Sequence, residues 1–135
     1  MSDKKVSVGL DLRNSASTDP TYTNVTAANG EVYCFKYSGG DDGNGNADSG
    51  NVKVKQGKKT EITVTVGEDP RYKVGGVFVN NDPDNDVSVA FNGTTATLTD
   101  AATDLEDDIY YQVTVCDTVA KTYFVCDPRI QNVPD

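Results

Sequence analysis

Residues 87–99 read VSVAFNGTTATLT, two runs with an apolar side chain at every second position, joined at Asn92-Gly93. A period of two is the mark of a half-buried strand, and Asn-Gly tolerates the positive φ that a tight hairpin turn demands. The stretch therefore reads as a β-hairpin, with strands over 87–91 and 94–99. The same pattern recurs on both sides of it. Upstream, Thr60–Val66 alternates through Ile62, Val64 and Val66, and near the start Val6, Val8, Leu10 and Leu12 share one face while Ser7, Gly9 and Asp11 share the other. Strands over 21–27 and 31–38 flank Asn29-Gly30, and the second carries Tyr33, Phe35 and Tyr37 on one face. Shorter runs at 52–55 and 73–79 complete the middle of the chain, and 109–116 with 121–126 make a closing hairpin. Asp19-Pro20, Asp69-Pro70 and Asp82-Pro83 supply further turns. Only the acidic segment 100–108 leaves room for a helix, and that no more than a short turn over 101–105.

Short strands at regular spacing imply an all-β fold, an antiparallel immunoglobulin-like β-sandwich. The chain has no Trp, so the Cys–Trp–Cys core set of antibody domains is absent. Its 135 residues suit one domain over 1–135, with 1–4 and 128–135 as extended tails. Cys34, Cys116 and Cys126 are an odd number, and a hairpin turn near 118–120 sets Cys116 opposite residue 121 or 122 rather than Cys126. Unpaired thiols and the lack of a leader-like apolar segment point to the cytoplasm.

Twelve basic against twenty-one acidic residues give a net charge of −9. That field repels phosphate backbones and anionic lipid surfaces, so neither nucleic acid nor membrane is expected as a partner. The chain contains no histidine. This removes the usual near-neutral general base, Ser-His-Asp and Cys-His nucleophilic systems, and His-ligated zinc. No Cys-x-x-Cys pair and no phosphate-cradling glycine motif occurs. No catalytic residue is assigned, and the expectation is a protein that is not an enzyme.

Oxygen-ligated cations are the remaining chemistry, since calcium takes six to eight oxygens from clustered carboxylates, amides and carbonyls. Asp42, Asn44, Asn46 and Asp48 open like an EF-hand loop, but Ala47 stands where that loop needs Gly and Lys53 where it needs Glu. Counting strictly antiparallel strands puts loops 80–86 and 100–108 at one end of the sandwich and loop 39–51 at the other. Asp82, Asp84, Asp86, Asp104, Glu106, Asp107 and the adjoining Asp108 would then gather as a weak calcium site of millimolar affinity, with no other cofactor expected. Solvated loop tips capped by Asx turns are the competing reading. Of the adjacent Tyr110 and Tyr111, one must face outward.

The ending Cys126-Asp127-Pro128-Arg129-Ile130-Gln131-Asn132-Val133-Pro134 resembles the "DP…NVP" close of the DP-EP family. The strand Thr60–Val66, the run Asn81-Asp82-Pro83-Asp84-Asn85-Asp86 and the run Ala96-Thr97-Leu98-Thr99-Asp100 are similar too, so the likeness covers roughly 50–135. The resemblance implies a small bacterial β-sandwich protein of a group with no established activity, and it supplies no catalytic motif. The expected function is a non-catalytic structural or interaction protein that meets an unidentified protein partner or its own copy. The alternative is a calcium- or carbohydrate-binding module.

Overall fold

A computed structural model describes residues 4–41, 46–47, 50–55, 57, 59–67, 69–80, 87–101, 107–126 and 129–133, with backbone alone for 55, 80, 107–110 and 129–133. Every regular element among the described residues is a strand. They are β1 (Lys4–Arg13), β2 (Thr23–Thr26), β3 (Val32–Gly39), β4 (Val52–Lys55), β5 (Thr60–Val66), β6 (Tyr72–Asn80), β7 (Val87–Asn92), β8 (Thr95–Asp100), β9 (Asp107–Asp117), β10 (Thr122–Cys126) and β11 (Arg129–Val133). The alternation read from sequence places nearly all of them to within two residues. The segment 102–106, where the sequence leaves room for a helical turn, lies outside the described residues, and β9 already begins at Asp107.

The strands form two sheets packed face to face. The first has the order β2-β3-β1-β5-β8-β7, and in the second β9 lies between β6 and the pair β10 and β11, with β4 outside β11. Cys126 faces Val113 and Arg129 faces Tyr110, so β10 and β11 follow β9 in one unbroken register. Residues 129–133, read as part of an extended tail, form β11, a paired strand of the second sheet.

The pairing is mostly antiparallel, not strictly so. β1 runs parallel to β5, and β11 runs parallel to β4. Alternation fixes which face of a strand is apolar and is blind to the direction of its neighbour. Val6, Val8 and Leu10 therefore meet Ile62, Val64 and Val66 in parallel register without breaking the pattern. This overturns the strand count that put loop 39–51 at the far end from the acidic loops. Gly40 N–H reaches the Ser7 carbonyl at 3.0 Å and Lys4 forms an ion pair with Asp41. Lys4 pairs with Thr60, Thr60 with Asp100 and Asp100 with Val87. Asp41 thus lies at the end of the first sheet where β8 finishes and β7 starts.

Inward residues of both sheets merge into one core. Tyr33 of β3 stacks on Phe124 of β10 with ring centroids 4.4 Å apart, and Tyr37 meets Tyr111 edge-on at 6.4 Å. The buried phenols keep their polar tips satisfied: Tyr37 donates to the Cys126 carbonyl at 2.9 Å and Tyr111 to the Gly50 carbonyl at 2.8 Å. Tyr111 is the inward member of its pair with Tyr110, whose side chain is not described. The three cysteines carry no disulfide, and Cys116 stands opposite Tyr123 while Cys126 stands opposite Val113. Among the described residues no helix is long and apolar enough to cross a membrane.

Candidate functional site

Of the residues singled out as calcium ligands, Asp82, Asp84, Asp86, Asp104 and Glu106 lie outside the described residues, as do Asp42, Asn44 and Asp48. Asp107 and Asp108 open β9, with only their backbone described. The strands that flank these segments are informative. Asn80 at the end of β6 pairs with Tyr110 near the start of β9, and Val87 at the start of β7 pairs with Asp100 at the end of β8. The end of β6 and the start of β9 thus lie at the same end of the sandwich as the start of β7 and the end of β8, where Asp100 is buried. Among the described residues no three Cys, Asp or Glu side chains gather as a metal site.

A polar cluster that sequence reading missed occupies the opposite end. Asp117 is 1% exposed, and its carboxylate accepts from five donors. Arg71 grips it bidentately, Nε to Oδ1 at 2.9 Å and Nη2 to Oδ2 at 2.7 Å. Tyr33 donates to Oδ2 at 2.5 Å, and the Val119 and Ala120 amides donate to Oδ1 at 3.0 and 3.2 Å. Thr118 returns both its amide and its hydroxyl to the Arg71 carbonyl, each at 2.8 Å. The Arg71 hydrogen bond, aided by those of Tyr33 and the two amides, holds the Asp117 carboxyl well below the usual carboxylate range. Burial first, and then the bond to Asp117, push the Tyr33 phenol well above its ordinary value. A signal did exist in the sequence. The inward series Tyr111, Val113, Val115 lands next on Asp117, a charge at a core position. The cluster ties β3 of one sheet to β9 of the other through a carboxylate whose five donors all belong to the chain itself, so it acts as a structural clamp.

The outer face of the first sheet carries a shallow open depression of about 500 Å³ lined by Gly9, Leu10, Asp11, Ser38, Thr65, Val66 and Gly67. Beside it the Tyr22 hydroxyl donates to Asp11, and the Arg13 guanidinium lies 4.6 Å from the Tyr22 ring centroid.

Large apolar side chains are exposed at several other places among the described residues, Val119 most of all at 68% and Tyr123 at 55%. Phe78 on β6 is 59% exposed, and Phe91 and Val89 on β7 are 50% and 42% exposed. β6 and β7 are consecutive strands on the same side of the sandwich, each at the margin of its sheet. Val89 pairs with Leu98 and Phe91 with Ala96, both fully buried, so these two side chains extend the inner face of the first sheet past the cover of the second.

The model of the DP-EP family matches residues 19–134. The chain belongs to the DP-EP family. The match takes in the Asp117 clamp, the β6–β7 side and the acidic segments, but leaves out β1. Curated proteins yield no match. Among solved structures this DP-EP chain is similar to an endo-fucoidan hydrolase from glycoside hydrolase family 107, at 12% identity and a TM-score of 0.41. The alignment covers 92% of this chain and 23% of that one, so the chain spans less than a quarter of the hydrolase's length. A likeness at that level carries no argument about activity.

Proposed function

We propose that this DP-EP protein is a non-catalytic interaction protein that engages its partner along the β6–β7 side. The carrying observation is the conjunction of Phe78, Val89 and Phe91, three large apolar side chains exposed on neighbouring margins of the two sheets. Val89 and Phe91 stand two residues apart on one face of β7, and contiguous exposed apolar surface is where protein contacts form. The absence of histidine from the chain and the internal use of the Asp117 carboxylate support a role without catalysis. An immunoglobulin-like scaffold in a reducing compartment, as three cysteines without a disulfide suggest, suits such a role.

A photo-crosslinking residue placed at position 91 should capture a neighbour in the producing cells. The same residue at position 119, which is also exposed but lies in the β9–β10 turn, should not. Uncrosslinked monomer from position 91 would overturn the reading.

A second reading, a calcium- or carbohydrate-binding module, has two supports: the acidic residues that the sequence sets between β6 and β7 and between β8 and β9, and the depression by Gly9, which offers Asp11, Ser38 and Thr65 to a polar ligand. A ligand at ten times its dissociation constant stabilises by about 1.4 kcal/mol. On this reading, about 10 mM calcium raises Tm by several degrees relative to EDTA, or one member of a sugar panel does so. A flat response throughout removes it.

A further inference from the structure

Lys4 opens the inward series of β1. Val6, Val8, Leu10 and Leu12 follow it on the same face and are all buried, so a lysine stands at the head of a run of core positions. Its ammonium lies directly on the Asp41 carboxylate, Nζ against Oδ2, with 28% of the lysine side chain and 6% of the aspartate side chain exposed. Among the described residues this is the one ion pair that uses a lysine; the other two use Arg13 and Arg71. The distinction is chemical. A guanidinium stays protonated, whereas an amine that gives up its proton is a nucleophile.

Two glycines bring Asp41 to that position. Gly39 and Gly40 have φ of +78° and +87°, and a Cβ on either would collide with a carbonyl oxygen, that of Ser7 or that of Asn51. Here the backbone leaves the first sheet for the second. The Gly40 amide still donates to the Ser7 carbonyl of β1 at 3.0 Å, but Asp41 bridges Val52 of β4, donating to the Asn51 carbonyl at 3.0 Å and accepting from the Lys53 amide at 2.8 Å. Lys4 is held as firmly, paired with Thr60 and donating its amide to the Lys59 carbonyl at 2.9 Å. Both backbones are therefore fixed around the two side chains, the condition under which an intramolecular reaction gains most from proximity. Thr60, 1% exposed, and beyond it the fully buried Asp100 continue the inward row that starts at Lys4.

We propose that Lys4 and Asp41 condense after folding into an intramolecular isopeptide bond, which staples β1 of the first sheet to the β4 margin of the second. The inference is independent of the β6–β7 reading. Burying an ion pair carries a desolvation cost, and transfer of one proton from Nζ to the carboxylate removes it, leaving a neutral amine against a carboxylic acid. Nζ then bonds to Cγ, one Cγ–Oδ bond breaks, and the departing hydroxyl takes a second proton from Nζ and leaves as water. Asp100, the second carboxylate of the row, carries that proton. The pair has no net charge before or after the reaction, and no oxidant or co-reactant is needed.

Intact-mass spectrometry of the purified, denatured chain tests this. The parent should weigh one water less than its sequence, and proteolysis should yield a branched peptide that joins Lys4 to Asp41. Lys4→Arg keeps the ion pair and removes the nucleophile, so it should show the full sequence mass. It should also lose about 10 °C in Tm, because a bond between positions 4 and 41 closes a long loop and restrains the unfolded chain. Asp100→Asn, which stays polar but carries no proton, should purify mostly at full mass. A fully linked Asp100→Asn chain would overturn the role given to Asp100. A parent at full sequence mass overturns the bond itself, as does a water loss that maps away from Lys4 and Asp41 or persists in Lys4→Arg. The mass of the parent decides even if a variant fails to fold.

Discussion

Replacing Asp117 with alanine is expected to destabilise the protein by about 3 kcal/mol, seen as a fall in Tm of roughly 10 °C. The carboxylate is buried and bound by Arg71, Tyr33 and the amides of Val119 and Ala120. Its removal strands all of these at once, and stranding one member of a buried pair costs about 3–5 kcal/mol. The lower figure applies because the Arg71 side chain keeps 21% exposure and recovers some hydration. Asp117→Asn keeps an acceptor but loses the charge and should fall between the two. The same cluster sets a pH window. The folded Asp117 pKa lies below its unfolded value, so its contribution is full above about pH 4 and is lost as pH falls through the folded value. The folded Tyr33 pKa lies above its unfolded value, so its contribution is full below about pH 10 and is lost as pH rises further. Melting curves across pH should show Asp117→Ala with a weaker acid dependence than the parent. A variant that melts within about 3 °C of the parent at pH 7 would show that the clamp contributes little.

Replacing Gly50 with alanine is expected to cost about 2–5 kcal/mol, the sum of a backbone and a packing penalty. Gly50 is buried at φ +83°, a backbone conformation that costs an L residue about 1–2 kcal/mol. An added Cβ would also come within 2.6–2.8 Å of the Cβ, Cγ and Cδ1 atoms of Tyr37. That ring cannot retreat, because it packs edge-on against Phe35 and Tyr111 and its hydroxyl is tied to the Cys126 carbonyl. Overpacking of this kind adds about 1–3 kcal/mol. Moving Gly50 would in turn loosen the bond that its carbonyl accepts from Tyr111. Gly30 provides the control. Its φ of +88° is similar and an added Cβ there would meet no atom within 4 Å, so Gly30→Ala should show the conformational cost alone. Denaturant titration giving equal losses for the two variants would remove the packing half of the argument.

Read alone, the sequence determined the all-β class, the positions of every strand but β11, and the apolar face of strands such as β1, β3 and β5. Period-two alternation is a local property: each side chain is thrown to one face by its own backbone, and Ile62, Val64 and Val66 are buried because of where they fall along β5. The antiparallel pairings of β6 with β9 and of β7 with β8 are also as strand counting assumes. Partner choice was not legible. The parallel pairings of β1 with β5 and of β11 with β4 join residues some fifty to eighty positions apart, where no turn fixes direction and an apolar face accepts a neighbour of either sense. The site at Asp117 follows the same division. Its inward position could be read from β9, but Arg71 and Tyr33 reach it from 46 and 84 residues away, and only the closing of the two sheets brings them together. The position of β7 is likewise tertiary: its alternation resembles that of β5, and what separates them is that, among the described residues, β5 has a paired strand on each side and β7 on one.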